Sequence, residues 1–315
     1  EFQLSDPHDN GFTVASISFS SGERLFYKPR PLAIDTLYRE VITWLNHQMG
    51  GEHLRAAAVL DRGTYGWVRN IPAEDCKDGE GVRLYYYRFG ILAALAFALR
   101  GTDLHEENII PSGSTPVPID LETLFLGGLD ASEYHFAQSA PQYRHVNVSS
   151  TIIPPRFFSG ASDSEAVTIS PLTGLRSGQQ WPVRTWRVRN HGRTDIELEY
   201  YLTRPDRSQA LPTLAGRKIS VHGYDDALLN GFSDAYQLIR TSRRDMLKII
   251  KRSAVDNQAV VRVMLRDSNE YGNTLFWSSA PDNMTSGLRY EAALEAVCGS
   301  GLQNELTRHH ARIAF

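Results

Sequence analysis

Residues 101–125 read GTDLHEENIIPSGSTPVPIDLETLF, and no other stretch of the chain carries as much chemistry. Asp103, His105 and Asn108 form a D-x-H-x-x-N run, and Asp120 follows twelve residues after the Asn, with Glu122 two further on. Asp103 suits the role of a general base or orienting group beside an attacking hydroxyl, although a lone aspartate in such a loop is more often a cap. Asn108 and Asp120 are oxygen donors of the kind Mg²⁺ takes, since it prefers few protein ligands completed by phosphates and water. Asp120 lies between Ile119 and Leu121, where an unpaired carboxylate would be costly to bury. Glu122 shares a strand face with Asp120, so it can join the metal or brace one of its ligands.

The Asp-to-Asn interval of five residues, followed by a carboxylate on the next strand, is the arrangement protein kinases use to place a hydroxyl and hold magnesium against nucleotide phosphates. It predicts an ATP-dependent phosphotransferase with ATP and Mg²⁺ as cofactors. Upstream, residues 12–28 alternate apolar and polar side chains around a Ser-Gly turn, a hairpin signal. Lys28 closes that hairpin in LFYKPR and is placed to reach ATP phosphates; a solvated lysine is the plainer reading, but the following Pro29 and Arg30 are unusual for an exposed strand. Residues 33–48 carry Ile34, Leu37, Tyr38, Val41, Ile42 and Leu45 at helical spacing, and Glu40 on that helix is a candidate partner for Lys28. Residues 56–71 read as two short strands joined by a turn, with Tyr65 and Val68 expected near the nucleotide hinge.

A charged, Gly-containing linker, PAEDCKDGEG, follows. Residues 82–100 are apolar with helical periodicity, and Gly101 is expected to stop that helix. Two short strands around a Gly-Ser turn are expected in residues 109–125. Residues 126–220 look irregular, rich in Ser, Pro, Gly and Arg, and so long a loop usually carries function. Helical periodicity returns in 224–252, 255–266 and 287–311. The fold class expected is α+β, a two-lobed protein/lipid-kinase-like fold. A strand-rich lobe would span 1–72 and a helical, catalytic lobe 73–315, the latter containing an activation-loop equivalent within 126–220.

Composition narrows the functions. With 315 residues, 42% of them hydrophobic, the chain can build a sizeable core. A formal net charge of −3 gives no reason to expect a nucleic-acid partner, and no apolar run approaches the ~20 residues of a membrane span. Cys76 and Cys298 lie far apart without a CxxC, as reduced cytoplasmic thiols would. Nor does His105 have a second His or Cys nearby at zinc-ligand spacing. The opening SDPHDNG places Asp6 and His8 before the first strand, as a polar loop or as a turn over the nucleotide. Arg262 and Arg266 stand one helical turn apart in VVRVMLRDS, with Ser268 close behind. An arginine in an apolar helix needs an anion, which a structural salt bridge would also supply.

Together SDPHDNG, GERLFYKPRPLAID, TYGWV, GTDLHEENII, PVPIDLETLF, LLNGFSDAY and VRVMLRDSNEYG resemble, in order, the dehydratase domain of class II lanthipeptide synthetases, the LanM-type enzymes, whose core is similar to lipid kinases. The resemblance covers about residues 5–275. It implies phosphorylation of Ser or Thr in a ribosomal precursor peptide (a leader plus a Ser/Thr-rich core), then elimination of phosphate to dehydroalanine or dehydrobutyrine. Lys28, Asp103, His105, Asn108, Asp120 and Glu122 fall on the phosphorylation positions. Asp6, His8, Arg262 and Ser268 fall on the elimination positions, the last usually Thr in the family. Full-length members carry further regions, including a zinc-dependent cyclase, so the chain is expected to be a fragment or a stand-alone enzyme with a separate cyclase and other biosynthetic proteins as partners. Two alternatives stay open: a peptide kinase whose product other proteins eliminate and cyclise, and a non-catalytic kinase-like module that binds a leader peptide.

Overall fold

The computed structural model describes residues 12–101, 104, 106–125, 183–190, 195, 197–203, 209–261 and 278–299. The chain divides into two compact units, Glu1–Leu124 with Ser149–Val260, and Phe125–Val148 with Val261–Phe315. Position 72, where a lobe boundary is expected, lies inside the first. The architecture mixes helices with small antiparallel sheets.

In the first unit, β1 (Ala15–Ser18) and β2 (Arg24–Lys28) form the hairpin expected from the alternation, turned by Gly22 at φ 87°, a conformation a Cβ disfavours. β3 (Val59–Asp61) and β4 (Gly66–Arg69) complete a four-stranded sheet of order β1-β2-β4-β3. Between β2 and β3 runs α1 (Ala33–Met49), which buries Leu37, Tyr38, Val41, Ile42 and Leu45 along one stripe and ends at Gly50, φ 75°. Leu32, Ala57 and Val68 form a small core with Phe26, Val59 and Ile71 against it.

α2 (Gly79–Ala98) starts at Asp78, whose side chain accepts the Gly81 amide at 2.8 Å, a side-chain cap on an otherwise unpaired N–H. Eleven of its residues are buried, including Tyr85, Tyr86, Phe89 and Leu92, as a helix covered on nearly every side must be. It packs on α3 (Asp225–Thr241) at glycine on both partners. A Cβ on Gly90 would run into the Leu228 carbonyl, and one on Gly231 into the Tyr87 carbonyl. The two backbones therefore touch. Tyr85 and Tyr86 donate to the carbonyls of Ala210 and Ile219, each at 2.6 Å, which pays the polar cost of burying them.

The end of α2 differs from expectation. Gly101 is not the left-handed residue; Arg100 is, at φ 51°, while the Gly101 amide reaches back to the Ala96 carbonyl at 2.8 Å. A Cβ at 101 would press on the tip of the Leu124 side chain. Since Arg100 bears the left-handed strain, Arg100→Gly is expected to stabilise the protein by about 1 kcal/mol, read as a higher denaturant midpoint at unchanged m.

After a single 3₁₀ turn, Glu106–Asn108, come β5 (Ile109–Ser112) and β6 (Thr115–Pro118), joined through Gly113 at φ 59°. The stretch expected to be irregular instead contains β7 (Val183–Arg189) paired with β8 (Glu197–Thr203), then the short hairpin β9 (Thr213–Leu214) and β10 (Arg217–Lys218). Beyond α3, α4 (Arg243–Asp256) ends where Gln258 turns left-handed, φ 49°, so residues 257–261 are not helical as expected. In the second unit the described helix is α5 (Gly287–Gly299), inside the expected span 287–311. No helix of the described residues is long and apolar enough to cross a membrane.

Candidate functional site

Two local structures converge. β2, held between β1 and β4, delivers Lys28 at its last position. The β5–β6 ladder runs from Ser112↔Thr115 to Ile109↔Pro118 and continues one step further, where the Ile119 amide donates to the Asn108 carbonyl at 3.0 Å. Asn108 and Asp120 thus flank the open end of one hairpin. Lys28 Nζ donates to the Ile119 carbonyl at 2.8 Å and stands 3.5 Å from Asp120 Oδ1. Two of the residues expected to serve phosphotransfer, and the backbone carrying a third, are therefore in one place.

Sequence reasoning missed the residue at the centre of the cluster. Arg30 Nη2 donates to Asp120 Oδ1 at 2.9 Å, Nη1 donates to Asp35 Oδ2 at 2.9 Å, and Nε lies 3.5 Å from Glu122 Oε2. Arg30 Nη1 also donates to the Pro31 carbonyl at 3.1 Å. The signal was present in KPR, an arginine and a proline directly after the lysine. Asp35 gave a fainter one, as a carboxylate between Ala33, Ile34 and Leu37 in the first turn of α1, where the helix N-terminus also favours an anion.

Burial alone would raise the Asp120 carboxyl, but Lys28 and Arg30 beside it hold it below the usual carboxylate value. Burial would likewise lower Arg30, and Asp35, Asp120 and Glu122 reverse that and raise it. Among the described residues, three carboxylates face two cations here. The Asp120 side chain is 36% exposed against 6% for Asp35, which makes it the accessible edge of the cluster. Among the described residues no group of three or more His, Cys, Asp or Glu is arranged to hold a metal. Magnesium does not require one, because an Asn amide and a carboxylate suffice beside phosphates and water. The exposed Asp120, on the hairpin whose open end Asn108 flanks, suits such a cation.

Glu40 is not the partner of Lys28. It faces α4 and meets Arg252 Nη2 at 3.2 Å, in a groove of about 790 Å³ between α1 and α4 lined by Trp44 and Ile249. At 100° per residue, positions 35 and 40 point about 140° apart on the helix. Asp35 therefore turns to Arg30 and Glu40 cannot. Val68 is 5% exposed and packs in the small core, and Tyr65 lies in the β3–β4 turn beside the Tyr27 ring; the chain leaves the sheet after Arg69. Asp103, His105, Asp6, His8, Arg262 and Ser268 lie outside the described residues.

Comparison with known proteins bears out the resemblance to class II lanthipeptide synthetases. Residues 1–313 match the family described as "Domain of unknown function (DUF4135)". The chain is 24% identical over 291 residues to "Lacticin 481/lactococcin biosynthesis protein LcnDR2" of Lactococcus lactis subsp. lactis, covering 86% of this chain and 30% of that protein. It spans less than a third of that relative's length.

Proposed function

We propose, from the premise that this chain belongs to the DUF4135 family, that it acts in lanthipeptide maturation as a two-lobed, kinase-like peptide dehydratase, phosphorylating Ser and Thr of a precursor peptide and then eliminating the phosphate. One observation carries the reading: Lys28 at the end of a strand meets the Ile119–Asp120 edge of the hairpin that Asn108 opens. A lysine from one segment meeting the hairpin that carries an asparagine and an aspartate is what a nucleotide–metal site requires.

ATP supplies the phosphoryl group, and Mg²⁺ neutralises the charge on its phosphates. Lys28 would bind those phosphates, and Asn108 and Asp120 would be the metal's protein ligands, with Glu122 close by at 3.5 Å from Arg30 Nε. Asp103 orients the peptide hydroxyl and takes its proton as the oxygen–phosphorus bond forms and the bond to ADP breaks; His105 stands two residues on in the sequence. In the second step a base removes the peptide α-proton, the Cβ–O bond breaks, phosphate departs and the Cα=Cβ bond forms. Arg262 suits the departing phosphate, being permanently charged and able to bind two oxygens at once. His8 suits a proton carrier near neutral pH, and Asp6 and Ser268 are the other residues that the family resemblance assigns to this step.

Mass spectrometry of precursor peptides incubated with the chain, ATP and Mg²⁺ tests this. Each modified residue should first gain a phosphate and then end one water lighter than the starting peptide. Arg262→Ala should leave phosphopeptide trapped. Phosphopeptide as the end product of the unaltered chain would mean a kinase alone, and an unmodified peptide with no ADP formed would defeat the reading.

A further inference from the structure

We propose that Arg30 is a positioning residue that sets the geometry of the metal-binding carboxylate and ties helix α1 to it. The inference rests on the function proposed above and concerns a residue that reading left without a role. In it, Arg30 touches neither nucleotide nor peptide; it acts through Asp120 and Glu122.

The observations are geometric. One guanidinium meets three carboxylates from two places far apart in sequence: Asp35 in the first turn of α1, and Asp120 and Glu122 after β6. All three of its nitrogens are engaged. The side chain is only 13% exposed, so its rotamer is held by packing as well as by charge. Pro29 restricts the backbone on one side of it, and Nη1 also reaches the Pro31 carbonyl on the other. Both Lys28 and Arg30 approach the same Asp120 oxygen, Oδ1. A carboxylate has two oxygens with about four acceptor sites, so holding Oδ1 on the protein side fixes the direction in which Oδ2 points.

The link to α1 follows from the same contacts. A kinase-like site joins its helix to the phosphate-binding strand through a Lys–Glu pair. Here Glu40 is taken by Arg252, and the connection that exists runs from Asp35 through Arg30 to Asp120. Movement of α1 along its axis would be felt at the carboxylate through that fork.

Arg30→Lys is the informative variant, because it keeps the charge and loses the planar fork that can serve several carboxylates at once. The readout is a ratio: the dissociation constant for ATP in EDTA divided by that in Mg²⁺, both by calorimetry. Structural damage moves both constants together, whereas a misdirected metal ligand moves the ratio. Arg30→Lys is expected to reduce the ratio by about tenfold or more, in the range that partners behind a metal ligand command, with the EDTA value changed by less than about twofold. Asp35→Asn keeps the guanidinium and removes one anchor; it should move the ratio the same way by a smaller factor, and it carries the test if Arg30→Lys does not fold. An unchanged ratio, or two constants shifting in parallel, would overturn the proposal alone. If the unaltered protein binds ATP no better with Mg²⁺ than without, the proposed function falls and this inference with it.

Discussion

Lys28→Met is expected to slow phosphopeptide formation by about three orders of magnitude while the protein stays folded. A positioned cation or donor aimed at a transferring group contributes about 10²–10⁵ in rate, and Lys28 is the strand-end lysine at the Asp120 edge. Folding should survive for three reasons. The β2 backbone is held by β1 and β4 on both sides, methionine fills the lysine stem without strain, and Asp120 keeps Arg30 at 2.9 Å. Removing Nζ leaves the Ile119 carbonyl without a donor, a cost of about 1 kcal/mol. Phosphopeptide yield against time, with a thermal melt on the same sample, decides the matter. A folded variant working within tenfold of the unaltered rate would remove Lys28 from the site.

Gly231→Ala should be, with Gly90→Ala, among the most damaging methyl additions at the described glycines. Its Cβ would strike the Tyr87 carbonyl, and the same addition at Gly90 would strike the Leu228 carbonyl. Neither obstacle is a side-chain tip that could swing aside. Relief requires parting α2 from α3, which would loosen the packing around Tyr86 and Phe89 and the Tyr87–Asp234 and Arg83–Asp226 links across the same interface. A loss of at least about 3 kcal/mol is expected, at the upper end for overpacking, against a total of roughly 5–15 kcal/mol for a domain. Urea unfolding measures it. A change under about 1 kcal/mol would show that the helices can separate at little cost.

The elements legible in sequence were those whose pattern is local. Leu37, Tyr38, Val41, Ile42 and Leu45 mark the buried stripe of α1 without reference to anything else, and Gly22 and Gly113 mark turns because the backbone there needs a left-handed residue. β7 and β8 were missed although Arg184, Trp186 and Val188 pair in register with Leu202, Tyr200 and Leu198. The alternation is there on both strands, but it sits in a region whose Ser, Pro, Gly and Arg content speaks for loop, and arginines at positions 184, 187 and 189 blur the apolar period. Arg100 is a different case: glycine is the usual left-handed residue at a helix end, yet here Arg100 takes that conformation and Gly101 does not.

The site divides in the same way. Asn108 and Asp120 were singled out by their spacing within a short motif, and Lys28 because it closes a strand directly before Pro29 and Arg30. The Arg30 fork could not, because its meaning depends on Asp120 arriving from 90 residues away. Glu40 was misread for a rotational reason: nothing in the local sequence says which side of α1 faces the carboxylates, and Asp35 won that side.

The central claim is that these residues hold a nucleotide and its metal. A crystal structure with Mg²⁺ and a non-hydrolysable ATP analogue tests it most directly. The metal should lie about 2.0–2.1 Å from oxygens of Asp120 and Asn108, with a phosphate oxygen in hydrogen-bond reach of Lys28 Nζ. A nucleotide bound elsewhere, with Asp120 still closed on Lys28 and Arg30 and no metal beside it, would contradict the account.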